Sequence, residues 1–153
     1  MTLFCQRNVT WGLKNLGFSP NKIWKYGCTI TCLSMIHGTD PGETNNILKG
    51  GGGYSNGDLV NWVTLHHCIP SFTFVNRFSA YDNQVALNAI QNYGFVIVMV
   101  DAGPIGAPGE THFVVFVGNH RLLDPWTGKN RPVSDFSGTN GKGLKGMVVL
   151  QHT

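Results

Sequence analysis

The sequence predicts an α+β fold, with helices in the N-terminal half and antiparallel strands in the C-terminal half. Three observations predict it. Apolar residues recur at helical spacing in segments up to Tyr93, β-branched and aromatic runs take over after Gly94, and glycines and prolines punctuate the boundaries. At 153 residues the chain has the size of one ordinary domain, large enough to bury a core without disulfides or metal. Residues 1–153 are therefore read as one domain, with neither an internal repeat nor a low-complexity linker.

The segment up to Gly27 mixes Trp, Gly, Ser and Pro without a period, which predicts an irregular arm with a short helix near Trp11 to Leu16. From Cys28 to His37 the apolar residues Ile30, Leu33, Met35 and Ile36 lie roughly a helical turn apart, and Gly38 follows as a stop. A helix beginning at the cysteine is expected. Thr39-Asp40-Pro41-Gly42-Glu43 supplies a capping residue, an early proline and an acid in the first turn, which predicts a second helix to about Leu48 or Lys49, ended by Gly50 to Gly53. Further helices are expected over Asn56 to His66, with Leu59, Val60, Trp62 and Val63 inside, and over Tyr81 to Tyr93, closed by Gly94. Strands are expected over Phe95–Asp101, His112–Val117, Arg121–Asp124 and Gly146–Gln151.

Composition narrows the function classes. The net charge of +3 is spread without a Lys or Arg run, which argues against a nucleic-acid partner. The longest apolar stretch, Phe95 to Val100, is far too short to span a bilayer. Met1 to Gln6 has no basic stretch followed by an apolar one, so no export signal is read there, and synthesis in the cytoplasm is expected. In that setting Cys5, Cys28, Cys32 and Cys68 are read as thiols.

Cys28 is the candidate nucleophile. The free amides and dipole of a helix N-terminus favour thiolate, the reactive form, and Gly27 leaves close backbone access. A nucleophilic cysteine needs a base, and the base needs a group that fixes its tautomer. His112 and Asp124 supply both if the strands carrying them form a hairpin of suitable register. An odd loop symmetric about Gly118 sets Phe116 against His120, Val114 against Leu122 and His112 against Asp124, with Cβ atoms about 4.5 to 5.5 Å apart. A two-residue turn at Asn119-His120 instead puts the two side chains on opposite faces. Gly118 and Asn119 tolerate the left-handed backbone of a three-residue bulged loop.

The segments Tyr26-Gly27-Cys28-Thr29-Ile30-Thr31-Cys32-Leu33-Ser34-Met35, His112-Phe113-Val114-Val115-Phe116-Val117-Gly118 and Leu123-Asp124-Pro125-Trp126-Thr127-Gly128 resemble, in order, the cysteine, histidine and aspartate blocks of C39-like peptidases. The resemblance implies a papain-like α+β fold with the nucleophile at a helix N-terminus packed on an antiparallel sheet. It makes Cys28, His112 and Asp124 nucleophile, base and orienting acid, with no cofactor. Cys5-Gln6-Arg7-Asn8 with Trp11-Gly12 is similar to the family's Gln-Arg-Asp…Trp start, which makes Gln6 the oxyanion donor; such a donor contributes roughly 3 to 4 kcal/mol. Two departures stand out: Thr29 where many relatives have glycine, and Asn8 where aspartate is common. Free-standing relatives, phage-associated ones among them, suggest a peptide or cell-wall peptide as substrate, hydrolysed by a phage lysin-like enzyme that reaches the wall on release.

Other arrangements compete. A non-catalytic binding module that keeps the fold is one. A zinc-stabilised domain built from Cys28, Cys32, His66, His67 and Cys68 is another, although the spacing fits no standard finger. Cys32 is more simply core, and Cys68 the start of a buried strand. The glycines 50–53 lack the Gly-Lys-Ser/Thr of a phosphate loop. The loop Gly103 to Glu110 either borders the cleft or is a passive strand connection; Trp62 is a candidate to line a peptide groove, and Trp126, two residues after Asp124, is read as packing over the triad.

Overall fold

A computed structural model describes residues 1–138 and 142–153. Helices followed by a six-stranded antiparallel sheet make it a mixed α+β fold. The N-terminal arm holds two single turns, α1 (Val9–Gly12) and α2 (Ile23–Tyr26). α1 does not run on to Leu16: Asn15 bridges to Lys22, and the Leu16 amide turns to the Asn21 carbonyl at 2.7 Å.

α3 (Cys28–His37) begins at the cysteine and ends at Gly38, whose φ of 88° is open to glycine at little cost. It is buried nearly all round, so its few polar side chains bond inward: Thr31 Oγ1 donates to the Gly27 carbonyl at 2.7 Å and Ser34 Oγ to the Ile30 carbonyl at 2.8 Å. α4 (Pro41–Gly51) starts at the Asp40 cap, which accepts from the Glu43 amide at 2.9 Å, and runs two residues past Lys49.

The helix expected over Asn56 to His66 does not form. Tyr54–Ser55 (β1) and Leu59–Val60 (β2) pair as a small hairpin, and Asn56 and Gly57 take φ of 52° and 88° at its tip. An Asn-Gly turn thus overrides the helical spacing of Leu59, Val60, Trp62 and Val63. α5 (Leu65–Cys68) is one turn that Cys68 ends rather than a strand it begins. The strand comes later, as β3 (Phe72–Phe78), an edge strand with an irregularity between Phe74 and Asn76. α6 (Asn83–Asn92) starts after Asp82, whose side chain accepts from the Val85 amide at 2.9 Å.

The main sheet continues with β4 (Gly94–Ala102), β5 (Ala107–Phe116), β6 (Arg121–Asp124), β7 (Lys129–Pro132) and β8 (Leu144–His152), in the order β3-β8-β4-β5-β6-β7. β4 is central and covered on both faces. Val96, Val98 and Val100 pack with Ala86 and Ala89 of α6, while Ile97 and Met99 pack with the α3 side. This two-sided burial explains the unbroken apolar run from Phe95. β7 was not expected from Lys129-Asn130-Arg131-Pro132; charge and a terminal proline suit a sheet edge. Among the described residues no helix is long and apolar enough to cross a membrane.

The β5–β6 hairpin has a loop of odd length, but its centre is Asn119 and not Gly118. Phe116 pairs with Leu122 and Val115 with Leu123, and Val117 donates to the Arg121 carbonyl at 3.1 Å. The loop residues Gly118, Asn119 and His120 have φ of 80°, 50° and 55°. Pairing is offset by two residues from the symmetric expectation. Because strand side chains alternate with period two, an offset of two keeps His112 and Asp124 on one face, as diagonal neighbours rather than directly opposed ones.

Candidate active site

The diagonal is short enough for a direct bond. His112 Nε2 lies 2.7 Å from Asp124 Oδ1, and both side chains are buried. Asp124 is held from several sides. Its Oδ1 also accepts from the Trp126 amide at 2.9 Å, and its Oδ2 accepts from Arg131 Nη1 at 2.9 Å and from Thr127 Oγ1 at 3.5 Å. With Nε2 engaged by the carboxylate, Nδ1 is the ring nitrogen left to exchange a proton with Cys28.

Cys28 lines the same hollow as this imidazole, beside the point where β6 stops at Asp124. Continuing the β5–β6 register would set Pro125 opposite Phe113. Proline has no amide to donate, and the Pro125 carbonyl instead accepts from the Gln6 amide at 2.8 Å. The vacated edge of β5 is filled by the first turns of α3. Cys32 Sγ donates to the Phe113 carbonyl at 3.4 Å, and Cys28 lies one helical turn before it.

The ionisation pattern follows from these contacts. Burial pushes the Cys28 thiol up, but hydrogen bonding and charge from His112, the Phe113 amide and the Thr29 hydroxyl outweigh it, so its pKa falls below the ordinary thiol value. Burial pushes His112 down, yet Asp124 and Cys28 together raise it to about 9. For Asp124, burial opposes ionisation, whereas His112, the Trp126 amide and Arg131 favour it and bring the net value below the usual carboxylate range. The three groups therefore stabilise a thiolate, an imidazolium and a carboxylate side by side. Cys32 is pushed well above an ordinary thiol by burial and by the Cys28 charge.

No family model matches the chain, and no curated protein matches it. Geometry is therefore what bears on the remaining candidates.

Gln6 is fully buried, and its amide orientation is determined: Nε2 donates to the Trp24 carbonyl at 3.1 Å, which only the nitrogen can do. Among the described residues its Oε1 has no partner, and one Nε2 hydrogen remains. The residue is tied to both flanks of the site, through its backbone to Pro125 and through its side chain to the turn that precedes Cys28. Arg7 reinforces this seam by donating to the Trp126 carbonyl at 2.8 Å and stacking 4.6 Å from the Trp126 ring centroid.

Two hollows meet at Cys28. One of about 490 Å³ includes Trp62, Asp58, Arg77 and Thr29 in its walls, and one of about 190 Å³ includes His112, Trp24, Trp126 and Ile105. The Gly103 to Glu110 segment does border the cleft, although it is a 3-10 turn, Gly103–Ile105, followed by the start of β5. Among the described residues no three His, Cys, Asp or Glu side chains converge as metal ligands, so Cys28, Cys32, His66, His67 and Cys68 form no such set. Arg131 is the site residue that sequence reasoning missed; besides Asp124 it bonds Asp135 at 3.0 Å and lies 4.8 Å from the Phe136 ring centroid. Its position four residues before Asp135 on the polar stretch after Asp124 was the available signal.

Proposed function

We propose that this chain is a papain-like cysteine peptidase that hydrolyses an amide bond in a peptide, with cell-wall peptides as the substrate class. The observation that carries the reading is His112, buried with one ring nitrogen on Asp124 at 2.7 Å and lining the same hollow as Cys28, whose thiol pKa is lowered. A merely structural histidine has no use for an activated thiol as its neighbour.

The resting pair is Cys28 thiolate and His112 imidazolium. The thiolate attacks the substrate carbonyl carbon, and the carbonyl electrons move onto oxygen, where the Cys28 backbone amide and the remaining Gln6 Nε2 hydrogen receive the charge. As the C–N bond breaks, His112 gives its proton to the departing amine, leaving a thioester on Cys28. Neutral His112 then takes a proton from water, whose oxygen attacks the thioester carbon; the C–S bond breaks, the acid is released and Cys28 leaves as the thiolate beside the restored imidazolium. Asp124 holds the ring orientation and stabilises the imidazolium throughout. Thr29, the departure from the glycine of many relatives, is compatible with this chemistry because its hydroxyl favours the thiolate.

The test is hydrolysis of purified peptidoglycan and of a mixed peptide library, scored by new amino termini. Wild-type protein is expected to release them and Cys28→Ala to release none. Absence of cleavage together with Cys28 alkylation no faster than that of Cys68 sinks the reading in favour of a binding module.

A further inference from the structure

The two hollows at Cys28 divide the work of a peptidase unequally. A departing amine takes its proton from His112, which lines the smaller hollow and not the larger. The leaving segment therefore lies over the smaller hollow, and the acyl segment enters the larger one.

The larger hollow contains Asp58, half-buried in the turn of the β1–β2 hairpin. Its Oδ2 accepts from Ser19 Oγ at 2.9 Å and from Asn21 Nδ2 at 2.7 Å. Both donors are neutral, so they fix the carboxylate without cancelling its charge. Among the described residues Oδ1 has no hydrogen-bond partner and Asp58 joins no salt bridge. Arg77 lines the same hollow from β3, bonded to Met99 Sδ at 3.3 Å, and the two charges do not pair with each other. Leu16, Val60 and Trp62 supply apolar wall in the same hollow, suited to the methylene stem of a cationic side chain. An acceptor oriented in advance and lacking its own cation gains most from a charged donor.

We propose that Asp58 selects substrates carrying a primary ammonium group on the acyl side of the cleaved bond, with Arg77 taking a carboxylate or carbonyl of the same segment. The inference rests on the peptidase reading for its direction, since His112 decides which hollow holds the acyl part.

Four peptides test it, with lysine or norleucine on the acyl side and a free or acetylated N-terminus. The ammonium-bearing member of a pair is expected to be cleaved with a kcat/KM about ten- to a hundredfold higher. The pair that shows the preference assigns the ammonium to a side chain or to a terminus. Asp58→Asn, whose carbonyl can still accept from Ser19 and Asn21, is expected to remove the preference, and Asp58→Glu to restore part of it. Equal kcat/KM for all four peptides overturns the assignment, as does a preference that survives in Asp58→Asn protein of unchanged circular dichroism. The same peptides titrated into Cys28→Ala protein separate the two claims. Tighter binding of ammonium peptides with no wild-type hydrolysis removes the peptidase reading and keeps Asp58 as the ammonium site; hydrolysis without ammonium preference does the reverse.

Discussion

His112 sits between a carboxylate and a sulfur, and its ionisation ties the two together. Its pKa is raised from 6.5 to about 9, while that of Cys28 is lowered from 9.0. The thiolate and imidazolium coexist between these limits, so kcat/KM should rise as pH passes the lowered Cys28 value and fall through about 9 as His112 loses its proton. Stability carries the same sign for the histidine: a raised pKa contributes fully below about 6.5 and is lost as pH rises through about 9, which thermal melts across that range would show. Asp124→Asn is expected to lower kcat about a hundredfold and to slow Cys28 alkylation at neutral pH, because the amide no longer supports the imidazolium. Arg131→Met should act through Asp124, moving the acid limb of the pH profile upward and costing about 1 to 3 kcal/mol in urea melts. Cys28, His112 and Asp124 were legible because each stands in a short block whose residue types announce their chemistry. Arg131 was not, since it reaches Asp124 only through β7, a strand with no apolar pattern to reveal it.

At the scale of elements, the hairpin shows which part of a register a sequence can specify. The odd loop was readable from Gly118 and Asn119, and oddness alone puts His112 and Asp124 on one face. The loop centre was not readable, because His120 accepts a left-handed φ of 55° that its side chain does not advertise. Relieving that conformation with His120→Gly is expected to stabilise the protein by up to about 1 kcal/mol, whereas Gly118→Val, at φ of 80°, should cost more than about 1 kcal/mol; denaturant midpoints decide both. α3 was legible to the residue, since its cysteine start and Gly38 stop coincide with its burial. The helix drawn over Asn56 to His66 failed for the opposite reason: turn chemistry at Asn56-Gly57 outweighs apolar spacing that either element could show.

For the molecule as a whole, the order of helices before sheet was visible in the shift of composition at Gly94, while the edge strands β3 and β7 were not, because edges need no continuous apolar pattern. Four free cysteines distribute over very different surroundings: Cys28 activated, Cys32 fully buried and pushed up, Cys68 raised by partial burial, and Cys5 bonded to the Trp126 carbonyl at 3.3 Å. Mass-mapped labelling with iodoacetamide at neutral pH should therefore modify Cys28 first and Cys32 last, with Cys32 reacting only as the protein unfolds. The placement of Phe113 gives this chemistry a wider meaning. Its carbonyl, which accepts from Cys32 Sγ, ties α3 to the sheet one helical turn from the reactive sulfur. Should the helix lift from the sheet, Cys28 parts from His112 and reverts to a slow thiol. The nucleophile is thus a built-in gauge of helix–sheet docking, and its alkylation rate along a urea titration should fall in step with the loss of tertiary packing.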